Sequence, residues 1–283
     1  MAVAPTPRSE QLRELAQRVA DRFPPDVVPE ILLTGSVSRG IADEGSDIEL
    51  LLVSDVLPPP EERLALAAAA GLEELDTLES GDRPIWWTEG LVDGDVVELI
   101  WWSRAYVDER VDRILAAEIV DHARLRSAEA IANGLVLRTS GAAAVWQARL
   151  SVYPPALVDA VVADAALDWT EQPRSILAKL RPGDRLVLAL QLTSDVENML
   201  RLLCAVNRVW EPGRKRLAFT AEQLPRKPVR FAERVEAALV EPDGAWALRA
   251  ARELVRDTLS FAPDLPEVVV ARERVARLLE ALA

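Results

Sequence analysis

The chain has 283 residues, half of them apolar, a formal net charge of −13, one cysteine and one histidine. That length and apolar content suit two domains, each with its own core. The acidic balance argues against general polynucleotide binding, which draws its affinity from clustered Lys and Arg; a lone Cys204 excludes an internal disulfide, and a single histidine, His122, in a charged helical stretch argues against a histidine-dependent triad and a His-rich zinc site.

No run of 18 apolar residues occurs, and Met1 to Arg8 is not a basic segment followed by an apolar one. No membrane span or signal peptide is therefore expected, and the expected location is cytoplasmic. Thr6 and Pro7 read as the N-cap and first residue of a helix carrying Leu12, Leu15, Ala16 and Val19 at helical spacing to about Phe23. Pro24 and Pro25 end it. Ile31 to Leu33 predicts a short buried strand broken by Gly35, and Asp47 to Val53 a second one. Pro58, Pro59 and Pro60 then open a helix rich in Leu and Ala. The runs Pro84 to Val92 and Asp95 to Trp102 flank Asp93-Gly94, a two-residue hairpin turn. Counting outward from it sets Val92 opposite Asp95, Glu89 opposite Glu98 and Trp86 opposite Trp101, so the tryptophans read as a packed cross-strand pair.

From Arg104 onward the pattern is almost entirely helical, with breaks near Pro154-Pro155, Pro182-Gly183, Pro212-Gly213, Pro225 and Pro263. The predicted fold class is α+β, an N-terminal mixed sheet with helices followed by a helical C-terminal domain, with the boundary near residue 125. Residues 1–125 and 126–283 are the expected domains. His122, after Asp121, reads as solvated, and Cys204, inside an apolar run, as an inert buried thiol.

The stretch Leu32 to Asp55, LLTGSVSRGIADEGSDIELLLVSD, carries the chemistry. A buried strand ends in Gly35-Ser36, ten residues intervene, and Asp47-Ile48-Glu49 opens a second apolar strand. Strand side chains alternate, so Asp47 and Glu49 share a face opposite that of Ile48, Leu50 and Leu52. Two carboxylates at one strand end are costly unless a cation joins them, and an all-oxygen donor set suits Mg²⁺ held together with substrate phosphates. Gly35 lets backbone approach a phosphate, Ser36 offers a hydroxyl and an N–H, and Arg39 a charge-assisted bond. Ser46, beside Asp47, joins these nucleotide-binding candidates.

This pattern resembles the signature of the DNA polymerase β-like nucleotidyltransferases, and among them it is similar to the kanamycin and lincosamide nucleotidyltransferases. The resemblance implies that Asp47 and Glu49 bind metal and that Gly35 and Ser36 hold the triphosphate. It places a third metal carboxylate at Glu98, in VVELI, and sets Glu89 near the metals and the acceptor. Over Asp195 to Leu217 the likeness points to Arg201, Asn207, Arg208 and Lys215 as matching positions, with Arg201 and Asn207 toward the substrate and Lys215 toward the nucleotide's phosphates. A helical-domain carboxylate acts as general base in the kanamycin enzyme, and here Glu197 and Asp195 are the candidates.

The expected function is Mg²⁺-dependent transfer of a nucleotidyl group from a nucleoside triphosphate, with ATP the expected donor, to a hydroxyl of a small molecule. An aminoglycoside-like or lincosamide-like acceptor fits the acidic chain. The alternative is a protein nucleotidyltransferase or an antitoxin-like partner of another protein. Neither nucleic acid nor a membrane is an expected partner, and the oligomeric state is left open.

Overall fold

Thr6 accepts a hydrogen bond from the Ser9 N–H and Pro7 follows it, so α1 (Pro7–Asp21) starts where the capping chemistry requires. The computed structural model describes residues 4–79, 86–180, 185–212 and 217–283. These form two units, Met1–Arg113 with Ser127–Val152, and Ile114–Arg126 with Tyr153–Ala283. The division is not the expected one at residue 125. A short strand, β6 (Leu135–Arg138), returns residues 127–152 to the first unit by pairing with β1 (Glu30–Thr34), whereas the sequence pattern placed that stretch among helices.

In the first unit β1 runs into a single helical turn, α2 (Gly35–Ser38), then β2 (Ile48–Ser54), α3 (Pro60–Ala69), β3 (Glu73–Glu79), β4 (Trp86–Val92), β5 (Asp95–Ser103), most of α4 (Arg104–Leu115), the latter half of α5 (His122–Asn133), β6 and α6 (Ala142–Leu150). The six strands make one mixed sheet in the order β3-β4-β5-β2-β1-β6, with β2 and β5 parallel. Asp93 and Gly94 both have positive φ, as a tight hairpin turn requires, and the register is the counted one: Val92 opposite Asp95, Glu89 opposite Glu98, Trp86 opposite Trp101. Pro84 and Ile85, also assigned to this strand from the sequence, lie outside the described residues.

One sheet face packs on α1. Ile31, Leu33, Ile48, Leu50, Leu52, Val97, Leu99 and Trp101 are buried with Leu12, Leu15, Ala16 and Val19. Trp101 meets Phe23 edge to face at 5.9 Å, and Trp86 lies under the Arg63 guanidinium at 5.0 Å, so both tryptophans serve sheet packing. With Ile48, Leu50 and Leu52 committed to this core, period-two alternation turns Glu49 to the opposite face.

The second unit is helical: α7 (Pro155–Leu167), a 3₁₀ turn at Asp168–Thr170, α8 (Pro173–Leu177), α9 (Arg185–Asn207), α10 (Leu217–Gln223), α11 (Phe231–Val240), α12 (Gly244–Leu259) and α13 (Pro266–Ala281). The long α9 buries Leu192, Met199, Leu202, Leu203 and Cys204, and burial pushes the Cys204 thiol well above its ordinary value, as an inert cysteine requires. His122, expected in solvent, is three-quarters buried, and its Nδ1 lies 2.7 Å from the Glu211 carboxylate. No single helix among the described residues is long and apolar enough to cross a membrane.

Candidate active site

The β1–α2 junction sets the geometry. Gly35 has φ +69°, and a Cβ built on it would stand 2.8 Å from the Glu49 carboxylate carbon and from Oε2. Only glycine meets both demands, a left-handed backbone and a carboxylate seated against its α-carbon. Beside it the Thr34 hydroxyl lies 3.4 Å from Glu49 Oε2. The following loop is tied to α1: Arg13 donates to the carbonyls of Val37 and Ser38 at 3.0 and 2.7 Å, Thr6 Oγ1 to that of Ala42 at 2.8 Å, and the Ala42 N–H to Ser9 Oγ at 2.9 Å. These ties leave α2 little freedom and fix where Ser36 and Arg39 begin. Ser46 closes its own turn instead, donating to Asp43 Oδ1 at 3.0 Å.

Asp47, Glu49 and Glu98 converge, with one oxygen of each lying within 4.8 Å of the others. Two separate constraints bring them there. Asp47 and Glu49 are two residues apart at the start of β2, and the parallel pairing of β2 with β5 sets Glu98 directly beside Glu49. The row continues across the sheet, because Glu89 opposes Glu98 and Asp76 opposes Glu89. Thr34, Glu49, Glu98, Glu89 and Asp76 thus stand side by side on five adjacent strands. Next to the outer part of this row is an open pocket of about 290 Å³ lined by Asp76, Leu78, Trp87, Glu89 and Glu98. Neighbouring like charges destabilise a sheet, so positive charge beside the row is favourable. A half-buried donor set of carboxylate oxygens, one of them seated in a glycine cradle, fits a hard cation such as Mg²⁺.

Arg39 ends α2 and its Nη1 donates to Glu129 Oε1 at 3.1 Å. Glu129, on α5, is 7% exposed. Burial pushes its carboxyl above the ordinary range, Arg39 and the Asn133 amide draw it back, and Glu49 pushes it up again.

Residues 12–85 match the family described as nucleotidyltransferase domain. Residues 12–85 thus carry a nucleotidyltransferase domain of the polymerase β-like superfamily. The match spans Gly35, Ser36, Asp47 and Glu49 and ends before Glu89 and Glu98. Over 97% of its length the chain is also similar to a nucleotidyltransferase-like protein from Exiguobacterium sibiricum 255-15, known from a crystal structure, at 10% identity, covering 90% of that chain, with a TM-score of 0.40. No curated protein matches the sequence.

Outside the nucleotidyltransferase domain, the candidates in the helical unit divide. Asp195 is fully buried, accepting from Trp169 Nε1 and Gln191 Nε2, both at 3.1 Å, and lying 3.3 Å from Arg252. Asp195 therefore anchors packing between α9 and α12, away from the solvent from which an acceptor hydroxyl would approach. Burial, only partly opposed by Arg252, pushes its carboxyl up. The Arg201 guanidinium donates to Asp164, the Val120 carbonyl and Asn198. Asn207 spends its amide on the Leu203 and Arg226 carbonyls and the Arg226 N–H, clamping the end of α9. Half-buried Glu197 keeps its candidacy as base. Lys215 lies outside the described residues, and Arg208 lines a pocket of about 520 Å³ with Arg226 and Phe261.

Thr34, Arg13, Glu129 and Asp76 had not been singled out in the sequence. Thr34 directly precedes the Gly-Ser pair and was within reach of the motif argument. Arg13 and Glu129 sit on amphipathic helices 25 and 90 residues from their partners Ser38 and Arg39, and a lone charge on such a helix reads as solvated.

Proposed function

We propose that the protein transfers a nucleotidyl group from a nucleoside triphosphate, with ATP the expected donor, to a hydroxyl of a small cationic acceptor of the amino-sugar or lincosamide kind. The observation that carries this reading is the convergence of Asp47, Glu49 and Glu98 within 4.8 Å beside the Gly35 cradle. Those carboxylates would hold Mg²⁺. A bound Mg²⁺ supplies charge neutralisation on the phosphates and lowers the pKa of a hydroxyl it binds.

The chain's own groups do the rest. Gly35 and Ser36 present backbone and hydroxyl to the triphosphate, and Arg39 adds a guanidinium. The acceptor oxygen bonds to the α-phosphorus as the bond from that phosphorus to the leaving oxygen breaks, releasing pyrophosphate. Glu197 is the candidate to take the hydroxyl's proton. Acceptor recognition falls to the pocket beside the triad, where Asp76 and Glu89 offer charge to ammonium groups and Trp87 an aromatic face.

The test incubates the full chain with Mg²⁺ and each common nucleoside triphosphate against a panel of amino-sugar and lincosamide alcohols, reading pyrophosphate and product mass. Acceptor-dependent pyrophosphate, lost in Asp47→Asn and Glu49→Gln proteins that still fold, supports the reading. Activity that survives either substitution defeats the metal assignment. Transfer of the nucleotide to a protein instead of a panel compound moves the acceptor class to proteins.

A further inference from the structure

Arg39 belongs to the turn that borders the carboxylate cluster. It ends the turn that starts at Gly35, whose α-carbon touches Glu49. Among the described residues its hydrogen-bonding partner is Glu129 alone, through Nη1, which leaves the other guanidinium donors uncommitted. The side chain is 26% exposed, so those donors are open to a ligand. A guanidinium matches carboxylate and phosphate geometry equally well. Left to itself, Arg39 would therefore be drawn to Glu49 and its neighbours, where it would compete with a cation and spend the donors a phosphate needs.

Glu129 is the counterweight. A carboxylate that is 93% buried is costly unless paired and hydrogen-bonded. Here both conditions are met, by Arg39 and by the Asn133 amide. Glu129 is also near enough to Glu49 for the two charges to act on each other. We propose that Glu129 is a positioning residue: it holds the Arg39 guanidinium off the Asp47, Glu49 and Glu98 cluster, leaving the cluster to a metal ion and the remaining Arg39 donors to a triphosphate. The inference rests on the nucleotidyl-transfer reading and names a residue that reading does not use.

The experiment is a double-mutant cycle on the full chain with Glu129→Gln, Arg39→Gln and the pair. Two readouts apply: Mn²⁺ affinity by electron paramagnetic resonance, and ATP affinity by titration calorimetry in saturating Mg²⁺. Glu129→Gln should weaken Mn²⁺ about tenfold, on the scale of one charge-assisted hydrogen bond, because Arg39 falls onto the cluster. Removing Arg39 in the double variant should restore Mn²⁺ binding to the wild-type value while ATP stays weak. A residue that only supports the fold gives no such rescue. Unchanged Mn²⁺ affinity in Glu129→Gln, or a double variant as weak as the single one, overturns the proposal. If Glu129→Gln does not fold, Glu129→Asp, which keeps the charge and shortens its reach to Arg39, takes its place: weakened Mn²⁺ binding that Arg39→Gln restores supports the inference, and weakening without rescue, or none at all, overturns it. Wild-type protein that binds neither ATP nor Mn²⁺ defeats the functional reading itself, which separates the two failures.

Discussion

Glu89 and Glu98 face each other directly across the antiparallel pair of β4 and β5, and the two-residue turn at Asp93-Gly94 makes that opposition a matter of counting. Opposed like charges cost a strand pair roughly 0.2 to 1 kcal/mol. In chelator, Glu98→Gln should therefore melt at a higher temperature than wild type. With Mg²⁺ and nucleotide the order should reverse, since only wild type gains the full binding free energy of the folded state. Thermal melts of both proteins with and without ligand check this, and a variant that keeps full ligand-induced stabilisation removes Glu98 from the metal site.

Gly35→Ala should remove Mn²⁺ binding and turnover together. A methyl at this position would meet the Glu49 carboxylate at 2.8 Å, and the φ of +69° adds strain of about 1 to 2 kcal/mol for a residue with a Cβ. Metal titration with a denaturant melt separates the effects. Lowered stability with unaltered metal affinity would show that Glu49 is not held by the glycine.

Glu30 is fully buried and gathers hydrogen bonds from the hydroxyls of Thr139 and Ser140 and from the N–H groups of Ser140, Ala142 and Ala143. Burial alone would push its carboxyl up. The Ser140 and Thr139 hydroxyls and the Ala143 and Ser140 N–H groups outweigh burial and hold it below the ordinary 4.5. A carboxyl with a lowered folded value contributes stability above its unfolded value and loses it as the pH falls toward the folded one. Glu30→Gln should thus cost about 1 to 3 kcal/mol at neutral pH, and the gap to wild type should narrow as the pH drops below 4.5. Urea melts across an acid series test this, and a gap that does not change with pH contradicts it.

Asp195→Ala and Glu197→Gln should fail in opposite ways. The first leaves Arg252 buried without its partner and should cost about 3 to 5 kcal/mol of stability, with turnover below the melting temperature retained. The second should lower kcat about a hundredfold in a protein that still folds. Loss of kcat in a folded Asp195→Ala protein would reinstate that aspartate as the base.

Most of the carboxylate cluster was legible because all but one of the constraints on it are local. Gly35-Ser36, the two-residue spacing of Asp47 and Glu49, and the Asp93-Gly94 turn can each be counted along the chain. The parallel pairing of β2 with β5 cannot, and it is what sets Glu98 beside Glu49. β3 and β6 escaped for a different reason. β3, Glu73–Glu79, is a charged edge strand without apolar alternation, and β6 is four residues long between helices. Glu129, Arg13 and Asp195 depend on partners far away in sequence, and such pairings leave no trace in spacing.

The row from Glu49 to Asp76 crosses the sheet from its middle to its margin. The carboxylates assigned to the metal are on the inner strands β2 and β5, whereas Asp76, Leu78, Trp87 and Glu89 are on the outer strands β3 and β4. β3 is an edge strand with β4 as its one neighbour, and positions at and beside a sheet edge tolerate replacement more readily. On the proposed function, a lineage can exchange its acceptor by drifting at the margin while the inner pair stays under strict selection, so related enzymes should diverge in what they modify well before they diverge in how they modify it.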